Sequence, residues 1–191
     1  GNRVFNTNWV VAPASVDGFD GLGPLFNRVS CSGCHLRDGR GRPPIEGEDG
    51  FLSMLFRISL PGSGPHGAPR PVPGYGLQLN DRAIAGVPPE ARVVLTWIEE
   101  PGAFADGESY SLRRPQVRFE DEAYGPLPRR IRVSPRVAPS VFGLGLLEAV
   151  DDESLLALAD PKDRNGDGIS GRVNRVIDPR SGRLVIGRFG W

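Results

Sequence analysis

The sequence lacks several features, and each absence excludes a class of protein. No run of apolar residues approaches the roughly 18 that a membrane-spanning helix needs, so we expect no membrane span. The formal net charge is +0, which gives no electrostatic reason to expect a nucleic-acid partner. Only Lys162 among the 23 basic residues is a lysine, so nearly all positive charge is arginine, which can bind anionic groups in bidentate fashion.

Glycine and proline, by contrast, are plentiful, with 26 and 19 of the 191 residues. This content lies close to the range of low-complexity chains, about 25–30%. The same chain also carries tryptophan, phenylalanine and aliphatic runs, and its length suits one domain with a real core. We therefore expect a packed, loop-rich domain rather than a disordered chain.

Cysteine is scarce, and both cysteines stand beside one of the two histidines, in the run Cys31-Ser32-Gly33-Cys34-His35. A zinc site needs four ligands, and beyond this run the chain offers only His66. A redox dithiol follows a strand in a βαβ unit, and residues 20–30 do not look like such a strand. A plain disulfide would leave the histidine unexplained.

The C-x-x-C-H spacing instead indicates covalent attachment of haem c. Cys31 and Cys34 would form thioethers with the haem vinyl groups, and His35 would be the proximal iron ligand. Residues 21–29 predict a short helix with one apolar face as a wall of the haem pocket. In the loop that follows, 38–44, a backbone carbonyl is expected to accept the free ring N–H of His35.

The sixth iron ligand decides between an electron carrier and a site open to peroxide. Met54 and His66 are the candidates. Met54 lies in a dense apolar run, where a methionine also serves as a core residue. His66 lies in a Gly- and Pro-rich loop, where a histidine is also simply exposed. The sequence leaves the sixth ligand open.

A second pattern of metal-ligand type covers residues 163–169 and matches the first half of an acidic calcium loop, D-x-[DN]-x-[DN]-G. The candidate calcium ligands are the side chains of Asp163, Asn165 and Asp167 and the carbonyl of Ile169. The twelfth position is Asn174 rather than Glu, so the usual bidentate carboxylate is missing. The alternative is an Asx-rich turn with no ion.

The remaining patterns predict a mainly α cytochrome c-like haem domain, loop-rich and elaborated with small antiparallel β-hairpins, hence α+β. Strands are expected at 93–99, 111–119 and 129–133, helices over 141–159, and a hairpin from 172–177 and 184–189. We expect one domain over 1–191. Its parts are a haem-attachment segment (17–60), a β insertion (about 90–136), helices with the calcium-like loop (140–175) and a C-terminal hairpin (172–191).

Taken together, segments along the whole chain resemble the bacterial di-haem oxidoreductases, a peroxidase-like family distantly related to di-haem cytochrome c peroxidase. The segments that carry this resemblance are 8–10, 21–26, 31–35, 38–41, 75–76, 112–115, 143–149, 166–172 and 187–191. Each is short, and the set is specific. The resemblance implies a second haem in a C-terminal cytochrome domain, so we expect these residues to be the N-terminal haem portion of a longer protein.

The resemblance also implies further site residues. It suggests Glu148 as a proton shuttle to peroxide, with a helix-surface carboxylate as the alternative, and Trp191 as a relay between haems. It implies hydrogen peroxide as the substrate, an electron donor that the sequence does not name, and calcium between the two domains. Haem c is attached outside the bacterial cytoplasm, so we expect a periplasmic or otherwise extracytoplasmic bacterial protein whose secretory signal preceded residue 1.

Three functional hypotheses follow. The first is the N-terminal haem domain of a di-haem peroxidase-like oxidoreductase, which passes electrons between haems and is catalytic when joined to the second domain. The second is a non-catalytic electron-transfer cytochrome c, with a stable sixth ligand. The third is a haem-free metal-binding or dithiol protein.

Overall fold

The computed structural model describes residues 1–16, 18–45, 51–178 and 180–188, and for Asp38 the backbone alone. The helices in this part of the chain are α1 (Asn2–Asn6), α2 (Leu36–Gly39), α3 (Leu144–Glu148) and α4 (Asp152–Ala157). The strands are β1 (Leu25–Phe26), β2 (Met54–Ser59), β3 (Gln78–Leu79), β4 (Arg82–Ala83), β5 (Arg92–Ala103), β6 (Ser109–Glu120), β7 (Arg132–Val137), β8 (Arg175–Ile177) and β9 (Leu184–Ile186).

The expected mainly α fold is wrong, because strands and loops dominate the described residues. The longest helix there, α4, has six residues, whereas β5 and β6 have 12 each. The helix expected over 21–29 is also absent, since β1 lies in that stretch and pairs antiparallel with β4. Local apolar spacing suggested a helix there, but pairing with a distant strand took its place.

The chain divides into two compact units. The first unit comprises Gly1–Gly64 and Ala68–Ser140, and the second comprises Pro65–Gly67 and Val141–Trp191. In the first unit β2 is the middle strand of a three-stranded antiparallel sheet, between β3 and β7. Alternate residues of β2 are buried, as expected for a strand with one face on a core.

The core of the first unit gathers around this sheet. Its buried apolar residues are Met54, Phe56, Ile58, Val72, Tyr75, Leu79 and Ala91. The expected strands at 93–99 and 111–119 are present as the longer hairpin β5–β6, and the one expected at 129–133 is displaced to β7. Because β7 ends at Val137, the next residues, 138–140, leave the sheet beside the C-x-x-C-H segment.

The second unit contains α3 and α4, where longer helices were expected, and the antiparallel hairpin β8–β9. Asp151 caps α4, because its side chain accepts a hydrogen bond from the backbone N–H of Ser154 at 2.7 Å. Phe189, which was expected in the hairpin, lies outside the described residues, as does Pro179.

Candidate functional site

The C-x-x-C-H segment forms a single tight turn. The backbone N–H groups of Cys34 and His35 donate to the carbonyl of Cys31 at 3.1 and 2.9 Å. Both cysteines are free thiols, Cys31 exposed and Cys34 half-buried. The turn therefore brings two thiols and an imidazole together on one short stretch of backbone.

The ring of His35 is oriented by a carbonyl from a distant part of the chain. Its Nδ1 lies 2.8 Å from the carbonyl oxygen of Pro139. A carbonyl can only accept, so Nδ1 carries a proton and donates, and in the neutral imidazole Nε2 then keeps its lone pair. The acceptor was expected in the loop 38–44, and that expectation is wrong, because the residue that follows β7 by two positions supplies it.

The N-terminal segment closes one side of the turn. The Phe5 ring lies 6.3 Å from the His35 ring, centroid to centroid. The carbonyl of Phe5 accepts a hydrogen bond from the Ser32 N–H at 3.1 Å, and the N–H of Trp9 donates to the Val29 carbonyl at 2.8 Å. Residues 5–9 therefore supply an apolar wall and backbone hydrogen bonds to the C-x-x-C-H segment.

A buried ion pair lies directly before the motif. Arg28 and Asp81 approach to 3.2 Å, and their side chains are 8% and 13% exposed. The Arg28 guanidinium also donates from Nε to the Leu52 carbonyl at 3.0 Å, and to the carbonyls of Asn27 and Phe51. A buried charge is tolerated only when it is paired and hydrogen-bonded in this way.

The Arg28–Asp81 pair also influences the pKa of the Cys34 thiol. Burial raises the pKa of Cys34 above its ordinary value, Arg28 opposes that effect, and Asp81 and Cys31 add to it more weakly. A redox-active dithiol needs a thiol whose pKa is lowered, since the thiolate is the nucleophile. Burial therefore favours the protonated, less nucleophilic form of Cys34.

A cavity of about 760 Å³ lies against the residues that follow His35. Such a volume is typical of cofactor sites, which span about 300–1,000 Å³. Its lining consists of Leu36, Arg37, Arg40, Gly41, Arg42 and Ile45. This combination of apolar side chains and arginines suits a flat apolar ring with carboxylate substituents, because guanidinium groups pair with carboxylates.

The comparison with family models decides the membership of this chain. The model described as "Di-haem oxidoreductase, putative peroxidase" matches residues 1–191. The chain belongs to this family of di-haem oxidoreductases. The comparison with curated proteins and the search of solved structures found no match.

Membership in the di-haem oxidoreductase family implies a second haem domain. The 191 residues hold a single cysteine pair, Cys31 and Cys34, so a second C-x-x-C-H cannot lie among them. No helix within the described ranges is long and apolar enough to cross a membrane.

The two expected sixth ligands lie in different settings. Met54 opens β2, is 4% exposed and packs in the core of the first unit. His66 lies in a short 3-10 turn, Pro65–Gly67, in a left-handed backbone conformation with φ 56° and an exposed side chain. This turn groups with the second unit of this di-haem oxidoreductase chain.

The predicted peroxide residue of the di-haem oxidoreductase chain, Glu148, is the exposed last residue of α3. Trp191, the predicted relay, lies outside the described residues. Both roles stay predictions.

The calcium-like loop of the second unit closes on itself. The carboxylate of Asp163 accepts from the N–H of Gly168 at 3.1 Å, and that of Asp167 accepts from the N–H of Ile169 at 2.8 Å. The Asn165 side-chain oxygen accepts from the N–H of Asp167 at 3.2 Å. No group of three or more His, Cys, Asp or Glu side chains that could hold a metal ion occurs within the described ranges.

The structure adds residues that sequence reasoning missed. Pro139, Phe5 and the Arg28–Asp81 pair all contact or electrostatically influence the C-x-x-C-H turn. Pro139 acts through its backbone, which leaves no side-chain signal to read. Arg28 precedes the motif by three residues, so a basic residue in an apolar stretch was the one available hint.

Proposed function

We propose that this chain binds one c-type haem covalently through Cys31 and Cys34, with His35 as the axial ligand, and transfers electrons within a di-haem oxidoreductase. The observation that carries the proposal is the 2.8 Å hydrogen bond from His35 Nδ1 to the Pro139 carbonyl. It fixes the tautomer in which Nε2 is free to bind iron, and iron-binding histidines commonly donate their other N–H in this way.

The residues present fit the cofactor. Each thiol of the pair would add across one haem vinyl group, its sulfur forming a C–S bond and its proton ending on the neighbouring vinyl carbon. The cavity of about 760 Å³ is lined by residues that directly follow the motif, not by Cys31, Cys34 or His35, and its arginines suit the propionate carboxylates of a haem attached at the turn. When bound, the haem supplies one-electron chemistry at its iron.

The chain's own residues orient the groups of this site. Pro139 holds the imidazole, Phe5 shields one side of it, and the Arg28–Asp81 pair anchors the backbone that leads into the turn. A ligand that is already oriented loses less entropy on binding.

Peroxide reduction is the activity that we propose for the whole protein, with the second haem domain and an external donor supplying electrons. The burial of Met54 in the core supports an iron without a methionine ligand, since that side chain is already packed against the sheet. The second candidate function is a non-catalytic electron carrier, and the exposed His66 favours it, since an exposed loop histidine is available as a ligand.

We further propose a periplasmic location, because haem c is attached outside the bacterial cytoplasm. The spacing of Asp163, Asn165 and Asp167 supports the proposal that the loop 163–169 binds calcium.

Intact-mass measurement tests the proposal. The chain is expressed with a cytochrome c maturation system, denatured and weighed. We expect the mass of the chain plus one haem, and a loss of that increment in Cys31→Ser/Cys34→Ser. A matched control, Ser30→Ala/Ser32→Ala, removes two neighbouring hydroxyls and should keep the haem. An unmodified mass for the unaltered chain would refute covalent attachment.

Spin state separates the two candidate functions. A ferric spectrum with a high-spin component that turns low-spin on adding cyanide supports the open site. A purely low-spin spectrum, unchanged by cyanide and altered by His66→Ala, supports the electron carrier. The variant Met54→Leu keeps the apolar volume and should leave the spectrum unchanged if methionine is not a ligand.

A further inference from the structure

Gly41 lies so close to another backbone segment that no side chain fits. A Cβ atom built on it would lie 2.0 Å from the carbonyl oxygen of Ala138 and 2.9 Å from its carbonyl carbon. An ordinary carbon–oxygen contact is about 3.3 Å or longer. The φ of Gly41 is outside the left-handed region, so close approach, not backbone conformation, is what requires glycine here.

The contact partner of Gly41 immediately precedes the residue that orients His35. Ala138 is 8% exposed, and its N–H donates to the Ser53 carbonyl at 2.7 Å, so a buried hydrogen bond to the chain just before β2 holds it from one side. Gly41 lies against the Ala138 backbone from another side. The next carbonyl, that of Pro139, receives the Nδ1–H of His35.

The segment from His35 to Gly41 is itself compact. The N–H of Gly39 donates to the His35 carbonyl at 3.2 Å, and the N–H of Arg40 donates to the Leu36 carbonyl at 2.6 Å. The two segments therefore meet at two points, His35 on Pro139 and Gly41 on Ala138. Ala138 and Pro139 are adjacent in sequence, so the two points of contact lie on consecutive residues.

We propose that Gly41 is a positioning residue for the axial ligand. By allowing the Ala138 backbone to approach, it keeps the Pro139 carbonyl within hydrogen-bond reach of His35 Nδ1. This inference rests on the proposed haem function. It means that Gly41 influences how strongly the His35 imidazole would donate to the iron. A donated Nδ1–H makes the imidazole more basic, and a more basic ligand stabilises ferric iron.

A methyl group at position 41 is expected to raise the reduction potential of the iron. In Gly41→Ala the Ala138 backbone must move away by about 1 Å to restore an ordinary contact. A displacement of that size takes the His35–Pro139 pair beyond the distance of a good N–H···O bond, about 3.2 Å. The imidazole becomes a weaker donor, so the reduction potential of the iron rises.

The test compares haem-loaded Gly41→Ala with haem-loaded Gly23→Ala. The control makes the same chemical change in the same unit, at a glycine whose Cβ would meet its nearest atom, the Leu25 carbonyl oxygen, at 3.8 Å. Intact mass first establishes one covalent haem in each protein. Spectroelectrochemical titration should then give a raised midpoint potential for Gly41→Ala and an unchanged one for Gly23→Ala. Equal potentials in all three haem-loaded proteins would overturn the inference.

A second measurement needs no variant. In the ¹⁵N NMR spectrum of the haem-loaded wild-type chain, the Nδ1–H of His35 should exchange slowly with solvent, because it is donated to a carbonyl. Rapid exchange would overturn the inference even if Gly41→Ala fails to fold. A wild-type chain that carries no haem would instead refute the proposed function, so the two failures are distinguishable.

Discussion

The two segments with metal-ligand patterns differ in how far their hydrogen bonds reach. In the C-x-x-C-H turn, His35 donates to a carbonyl 104 positions away, and Arg28 just before it pairs with a carboxylate 53 positions away. In the loop 163–169, the side chains of Asp163, Asn165 and Asp167 bond to groups no more than five positions away. The first segment depends on the folded unit, whereas the second forms its turn from its own residues.

This difference indicates which of the two patterns is prepared for a ligand. The distant carbonyl leaves His35 with one free, oriented nitrogen, which is what an iron site needs. In the loop, the oxygens that calcium would need accept hydrogen bonds from N–H groups nearby in sequence, and each carboxylate oxygen keeps a lone pair for an ion. A matching spacing is therefore stronger evidence of a site when other parts of the fold hold the donors.

The largest expected effect, on the free energy of unfolding, comes from breaking the Arg28–Asp81 pair, which holds the chain just before the C-x-x-C-H turn. Asp81→Ala leaves the Arg28 charge buried without its carboxylate, and this should lower the free energy of unfolding by about 3 kcal/mol. The matched control is Glu99→Ala, which breaks the exposed Arg113–Glu99 pair on the β5–β6 hairpin and should cost about 0.5 kcal/mol. Urea denaturation measures both, and equal losses would show that the buried pair does not anchor the turn.

A smaller effect is expected in the calcium-like loop. If the spacing does specify a site, calcium at about five times its dissociation constant should stabilise the chain by about 1 kcal/mol. Thermal unfolding with and without calcium measures this gain. The double variant Asp163→Asn/Asp167→Asn should abolish it, and Asp106→Asn in the turn between β5 and β6 is the control that should not. A wild-type melting temperature that calcium leaves unchanged would contradict the calcium proposal.

The smallest difference lies within the turn itself, between its two thiols. In haem-free protein, Cys34 should react with iodoacetamide more slowly than the exposed Cys31 near neutral pH. Burial raises the pKa of Cys34, so its thiolate forms, and its rate increases, at a higher pH than is usual for a thiol. The single-cysteine variants Cys31→Ser and Cys34→Ser allow each rate to be followed by mass spectrometry across pH. A faster reaction at Cys34 would show that burial does not suppress its thiolate.

The features that could be predicted from the sequence are those encoded by residues close together along the chain. The spacing of Cys31, Cys34 and His35 marked the turn, and alternating apolar residues marked the β5–β6 hairpin. The helix expected over 21–29 failed, because apolar spacing in a short stretch cannot show that residues 25–26 pair with β4. The cytochrome-like α fold failed for the same reason on a larger scale, since the sheets join distant segments.

The support of the candidate site was not predictable. The hydrogen-bond acceptor of His35 Nδ1 is a backbone carbonyl. Every residue has a backbone carbonyl, so the residue type at position 139 could not predict this bond. The Arg28–Asp81 pair is visible only once β4 lies beside the chain that leads into the turn. The close approach at Gly41 is likewise a property of two backbones, and a glycine in a Gly- and Arg-rich loop looks like any other turn residue.

The central claim is that the fold holds His35 with Nδ1 donated and Nε2 free for iron. A crystal structure of the haem-loaded chain tests this most directly. In that structure we predict thioether bonds from both cysteines, Nε2 on the iron, and Nδ1 still about 2.8 Å from the Pro139 carbonyl oxygen. A histidine away from the iron, or one bound through Nδ1 with the Pro139 contact broken, would contradict it.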